Sequence, residues 1–169
     1  MVLSQLEFPM TSANTSTIRV ATTADADRVT AVINAAFRIA EEFFIDGNRI
    51  TKTEVEQLLN KGAFLLAEDG DKLHGCVYVE LRDERSYLGL LSVDPDCQQG
   101  GIGSRLMLAG ENYCRERGSS FMDILIVHLR NDLPAFYGKR GYVETGITPF
   151  PPELETKIPA HFINMSKPL

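Results

Sequence analysis

Two short stretches carry residues whose types and spacing could do chemistry. The first, VDPDCQQGGIGSRLM, occupies 93–107. An apolar strand-like run ends at Val93, Gly100, Gly101 and Gly103 crowd a turn, and a helical pattern begins near Ile102. Glycines let the chain present successive N–H groups without Cβ obstruction. Those groups lie at the positive end of the coming helix, a place that suits a pyrophosphate. A phosphate-binding P-loop would need a G-K-[ST] ending, and no lysine is present here. A dinucleotide fingerprint would need a third glycine where Leu106 stands. The remaining reading is Q-x-x-G-x-G, carried by Gln98, Gly101 and Gly103. The second stretch, LPAFYGKRGY at 133–142, offers the phenol of Tyr137. A phenol, with a reference pKa near ~10, still holds its proton at neutral pH and can give it up as an acid. On periodicity alone, Tyr137 reads as a core aromatic beside Phe136.

These stretches need a frame. TIRVAT (17–22) reads as a first strand. Apolar residues at Val29, Val32, Ile33, Ala36, Phe37 and Ala40 keep helical spacing, with Thr23 or Asp25 as N-cap. TEVEQLLN is a second short helix; AFLLAE and KLHGCVYVEL are strands joined by a turn at EDGD. SYLGLLSV is a continuous apolar run, expected as a central strand buried on both faces. The helix after the glycine turn, the strand FMDILIV, a short helix at NDLPAFYGKR, and the strands GYVET and HFINMS complete the order. That order predicts a mixed α/β fold: a central, partly antiparallel sheet of six to seven strands with helices on both faces. Residues 1–16 read as a poorly ordered polar lead-in and 17–169 as a single domain.

The segment LLSVDPDCQQGGIGSRLM resembles the acetyl-CoA signature of the GNAT superfamily of acyl-CoA N-acyltransferases, and LPAFYGKRGY resembles that family's A-x-x-F-Y-x-x-x-G-F/Y segment. The order of elements agrees from about residue 17 to residue 166. The resemblance implies acetyl-CoA as acyl donor, its pyrophosphate held by Gln98, Gln99, Gly100, Gly101, Ile102, Gly103 and Ser104. It implies backbone contacts to the pantetheine arm from Leu91 and Val93, with Asn131 and Tyr137 completing the cofactor set. Arg105 or Lys139 could meet the 3′-phosphate, though each reads first as part of a solvated face.

Acetyl transfer to an amine needs the amine deprotonated, the thioester carbonyl polarised and the departing thiolate protonated. The resemblance implies Tyr137 as the acid that serves the sulfur. Some family members place a glutamate on the fourth strand; here Tyr87 stands there. Candidate bases or acceptor-binding groups are Glu41, Glu42, Asp46, Glu80 and His128; a base acting through water, or no dedicated base at all, is an equal alternative. His74 and His161 stand alone, and the pattern contains no metal site. The loop from Thr148 to Ala160 carries Pro149, Pro151, Pro152 and Pro159 and is expected to wall the acceptor pocket.

The bulk properties narrow the partners. The chain of 169 residues has a net charge of -6, which argues against nucleic acid as a partner. It has no apolar stretch long enough to span a bilayer and no signal-peptide pattern at its start. Cys76, Cys97 and Cys114 are scattered, as expected of free thiols in a cytoplasmic protein, with Cys76 and Cys114 in the core. The expected function is an acetyl-CoA-dependent N-acetyltransferase acting on a primary amine of a small molecule or peptide by direct attack in a ternary complex. A homodimer stays open, and the alternative is a non-catalytic acyl-CoA-binding sensor or partner subunit.

Overall fold

The computed structural model describes residues 16–169; the lead-in expected over 1–16 lies, apart from Ser16, outside the described residues. The elements follow the expected order: β1 (Thr17–Val20), α1 (Ala26–Glu41), α2 (Lys52–Lys61), β2 (Ala63–Asp69), β3 (Lys72–Arg82), β4 (Arg85–Val93), α3 (Ile102–Arg115), β5 (Phe121–Val127), α4 (Leu133–Gly138), β6 (Val143–Pro149) and β7 (His161–Pro168). They build one seven-stranded sheet in the order β1-β2-β3-β4-β5-β7-β6. Every neighbouring pair is antiparallel except β4 and β5.

Strand alternation separates two cores. Phe64, Leu66, Cys76 and Tyr78 turn to one face, where α1 and α2 cover them with Val29, Ile33 and Val55. Leu65, Ala67, Val77, Val79 and Leu88 turn to the other, against Ile102, Leu106, Met107 and Cys114 of α3 and Tyr137 of α4. The amphipathic spacing in α1 and α3 therefore puts one helix on each side of the sheet. At the start of α1, Asp25 stands at the N-cap position, one of the two expected, with no side-chain cap hydrogen bond. A short 3₁₀ turn, Thr23–Asp25, precedes the helix, and Asp25 accepts the Thr22 N–H at 2.8 Å. Asp25 also takes both terminal nitrogens of Arg19, at 2.8 and 2.9 Å, and so ties α1 to β1.

The expectation that 86–93 is buried on both faces is corrected by the structure. Ser86, Leu88 and Ser92 are buried, while Gly89, Leu90, Leu91 and Val93 are only partly covered. The cause lies in the pairing. β4 and β5 are in register only from Arg85 to Tyr87 against Phe121 to Asp123, and beyond that they part. On its other side β4 carries a bulge between the pairs Tyr78↔Gly89 and Cys76↔Ser92. The extra residue is absorbed at Leu90, whose φ of 52° is left-handed. A bulge bends the strand that contains it, and here the bend accompanies a gap in the middle of the sheet.

Candidate active site

The gap between β4 and β5 is a cleft of about 400 Å³. Leu91, Val93, Gln98, Gly101, Gly103, Ser104 and Tyr137 line it together. Val93 runs into a 3₁₀ turn, Pro95–Gly100, entered through Asp94, whose carboxylate accepts the Asp96 N–H at 2.8 Å. Gly101 then reverses the chain with φ +67° and serves as N-cap of α3 with no side chain capping it. The first N–H groups of a helix have no partner within it. The uncapped start of α3 thus lies on the cleft that Gly101 and Gly103 line, and the positive φ of Gly101 is what favours glycine there. Ser104 accepts a hydrogen bond from Arg140 at 2.6 Å, which brings a guanidinium to the same helix end. Along β4, backbone groups beyond Tyr87 have no ladder partner on β5. Uncapped amides, a nearby cation and an open strand edge suit a diphosphate carrying an amide-rich arm, and the residues present fit coenzyme A.

Tyr137 is 8 % exposed, packed at right angles to Phe136 and Tyr142, and still lines the cleft. The core and cleft readings of this residue both hold. Burial pushes its phenol up to about 12, helped by Tyr87 and opposed by Arg130 and Arg140. Tyr87, also on the cleft, is raised by burial as well, with Arg49 and Arg82 pulling it back. Its ring folds over Gly89, where a Cβ would lie 2.5 Å from the Tyr87 hydroxyl.

A second, wider cavity of about 910 Å³ adjoins the first. It lies between the α1–α2 segment and the β6–β7 loop, and Phe37, Glu41, Arg49 and Phe162 line both cavities. The two segments are laced together: Ile45 bridges Thr156, the Lys157 N–H donates to the Phe44 carbonyl at 2.7 Å, and Lys157 Nζ reaches Asp46 at 2.8 Å. The proline-rich loop walls this cavity through Phe150, Pro151, Glu153, Leu154 and Glu155.

The other sequence candidates fall elsewhere. Glu41, half-buried at the end of α1, lines both cavities; Glu42 and Asp46 line only the wider one. Glu80 lines neither, because it is held by the Tyr78 hydroxyl at 2.7 Å and by Arg82 at 2.8 Å. His128 lines neither, and its Nδ1 accepts the His161 backbone N–H at 3.1 Å. Nor does His161 stand alone, since the two imidazoles stack at 3.8 Å. Ile102 turns its side chain into the core, and neither Gly100 nor Asn131 lines either cavity; Arg130 and Asp132, flanking Asn131, do. Arg105 is bound to Ser16, at 2.7 Å to its hydroxyl. Sequence reasoning missed Arg49, Arg130 and Arg140. Arg140, three residues after Tyr137 in LPAFYGKR, left a readable helical spacing; the other two sit in loops without a pattern. Among the described residues no group of three or more His, Cys, Asp or Glu is placed to hold a metal, and no helix is long and apolar enough to cross a membrane.

An open mixed sheet parted at one parallel pair, with a glycine turn at the parting, makes a site that can seat an acyl-CoA. A family model described as an acetyltransferase (GNAT) domain matches residues 30–150. Since that match spans more than half of the sequence, the chain belongs to the GNAT acetyltransferase family. The mycothiol acetyltransferase of Actinosynnema mirum is 34% identical over 97 residues, covering 56% of this chain and 33% of that protein. The chain thus spans about a third of that relative's length. The ribosomal-protein-S18-alanine N-acetyltransferase of Escherichia coli superposes with a TM-score of 0.72 at 16% identity, over 90% of this chain and 93% of that one. The ribosomal-protein-alanine N-acetyltransferase of Brucella melitensis gives 0.73 at 22%, over 90% and 99%. The PaiA N-acetyltransferase of Thermoplasma acidophilum, a complex with coenzyme A, gives 0.69 at 16%, over 92% and 99%. At these identities the likeness establishes a shared fold.

Proposed function

We propose that this protein transfers an acetyl group from acetyl-CoA to a primary amine, by direct attack with donor and acceptor bound together, and that Tyr137 protonates the departing sulfur. The observation that carries this reading is the convergence of Tyr137, the uncapped N-terminus of α3 and the unpaired edge of β4 on one cleft. Acetyl-CoA supplies the activated acetyl thioester. Gly101, Gly103 and Ser104 hold the diphosphate through backbone N–H groups and the helix dipole, with Gln98 and Gln99 in the same turn. Leu91 and Val93 align the arm along β4. Tyr137, kept protonated by burial, gives its hydroxyl proton to the leaving sulfur and recovers one from solvent.

The acceptor enters through the wider cavity. Its walls carry the carboxylates Glu41, Glu42, Asp46, Glu153 and Glu155 against the cations Arg38 and Arg49, with aromatic surface from Phe37, Phe150 and Phe162. That lining favours a cationic amine, a small molecule or a peptide terminus. A binding-only role would require neither a protonated phenol in the cleft nor an adjoining acceptor cavity. Residues 17–169 act in this reading as a single domain, supported by two cores that share one sheet. The free cysteines suit a cytoplasmic setting.

Thiol release from acetyl-CoA, measured against polyamines, amino acids and peptides with mass detection of the product, tests the proposal. Amine-dependent release that collapses in Tyr137→Phe is the expected result. Full turnover by that variant overturns the acid role, and binding of acetyl-CoA without release across the panel favours the sensor.

A further inference from the structure

Resting on that reading, we propose that Glu41 is the base that receives the acceptor amine where the wide cavity meets the cleft. Four residues line both cavities, and Glu41 is the carboxylate among them. An amine travelling from the acidic cavity to the cleft must therefore pass its side chain. The Glu41 side chain makes no hydrogen bond or ion pair with any described residue, while its backbone carbonyl accepts the Phe44 and Ile45 N–H groups, so both carboxylate oxygens remain open to a ligand.

The rival bases are committed or displaced. Asp46 is paired with Lys157, Glu80 is held by Tyr78 and Arg82, and the Nδ1 of His128 is occupied by a backbone N–H. Glu42 is exposed and opens only on the wide cavity. Tyr87 keeps its proton at neutral pH because burial raises its phenol.

The groups around Glu41 set its proton affinity. Arg38 and Glu42 flank it on its own segment, Arg49 comes from the α1–α2 loop, Tyr87 from β4, Arg130 and Asp132 from the segment before α4, and Tyr137 from α4. Burial raises the carboxyl, while Arg49 and Arg130 limit the rise. A base lifted towards neutrality is better matched to an ammonium proton than an exposed carboxylate is.

The proton balance closes. The acceptor enters as R–NH3⁺ and leaves as an amide N–H, so its nitrogen sheds two protons. Glu41 takes the first, which frees the lone pair that forms the N–C bond, and passes it to solvent through the open cavity. The second leaves the nitrogen after that bond forms. The C–S bond breaks with its electron pair on sulfur, which receives the Tyr137 proton; the net change is release of one proton to solvent.

The test is the pH profile of kcat for wild type, Glu41→Gln and Glu41→Asp at saturating spermidine, lysine or an alanine-initiated peptide, with acetyl-CoA affinity measured by calorimetry. Expected are an acid limb in wild type, its loss in Glu41→Gln with kcat down about 100-fold, partial recovery of rate and limb in Glu41→Asp, and acetyl-CoA affinity within twofold throughout. A Glu41→Gln enzyme with the wild-type limb and a kcat within twofold overturns the assignment and leaves the Tyr137 reading standing. Should wild type release no thiol with any of these amines, the transfer reading fails, and carboxyl-¹³C NMR titration judges Glu41 separately. A midpoint above the ordinary glutamate value that falls when spermidine is added supports it as an amine-receiving group; an ordinary midpoint unmoved by spermidine overturns it.

Discussion

Tyr137 and Glu41 line the same cleft from opposite layers of the fold, α4 on one side of the sheet and α1 on the other, and the Arg130 guanidinium acts on both. The proposed acid and the proposed base are therefore carried by helices packed on separate hydrophobic cores. The parted strands β4 and β5 are the place where groups from both faces of the sheet can meet.

Replacing Tyr137 with Phe removes a hydroxyl while keeping the ring that packs on Phe136 and Tyr142. We expect kcat to fall by about 10²–10⁴ with acetyl-CoA affinity changed less than threefold. The acid works in its protonated form, and its activity would be lost only as pH rises through about 12. Tyr137 should therefore contribute no alkaline limb below that pH, which a rate profile extended to alkaline buffers checks.

Arg140 stacks on Phe136 and holds Ser104 at the start of α3. Arg140→Ala removes a positive charge from the expected diphosphate site. Acetyl-CoA should bind about tenfold more weakly, a loss of roughly 1.4 kcal/mol, and the affinity should depend less on salt than in wild type. Calorimetric titrations at two ionic strengths decide this.

Lys157 fastens the β6–β7 loop to the α1–α2 segment through Asp46 and the Glu42 carbonyl. Both charged partners are largely exposed, so Lys157→Ala should change stability by less than about 1 kcal/mol. Its effect should appear in the acceptor KM, raised several-fold, with acetyl-CoA affinity unchanged. Shortening the loop should reorder the amines accepted, measured as kcat/KM across the panel.

Asp25 binds Arg19 and the Thr22 N–H, and the Arg19 bond is the main cause that holds its carboxyl down at about 2. A depressed carboxylate contributes stability above its unfolded pKa, near ~3.9, and that contribution disappears as pH falls through the folded value. Because Arg19 is partly exposed, Asp25→Asn should cost about 1–2 kcal/mol at pH 7. The gap between variant and wild type should close from about pH 4 to pH 2 in urea unfolding curves.

The fold was legible along the chain because its determinants are local. The order of elements, the helix start near Ile102 and the placement of Cys76 and Cys114 in the core follow from periodicity, turn chemistry and apolar spacing. The glycine cradle was legible for the same reason: Gly101 and Gly103 are two residues apart, and their use depends only on a helix beginning between them. Less legible was the state of 86–93. An apolar run looks alike whether its neighbour stays in register or leaves, and only the loss of pairing after Tyr87 opens its second half.

What the amino-acid order determined by itself was the mixed sheet and the glycine turn before a helix; the resemblance to a known family added the acyl-CoA signature and Tyr137 as candidate acid. Only the tertiary structure separated Glu41, Glu42, Asp46, Glu80 and His128 by place and partners, and only it brought Arg49 and Arg130 to the cleft. These residues belong to different elements, and a side chain's availability depends on partners distant in sequence. Glu80 is held by Tyr78 and Arg82, while Asp46 is exposed and paired at the surface with Lys157 from the far loop. Neither periodicity nor a local motif encodes which carboxylate is left unpaired at the junction of two cavities; chain folding sets that through long-range contacts.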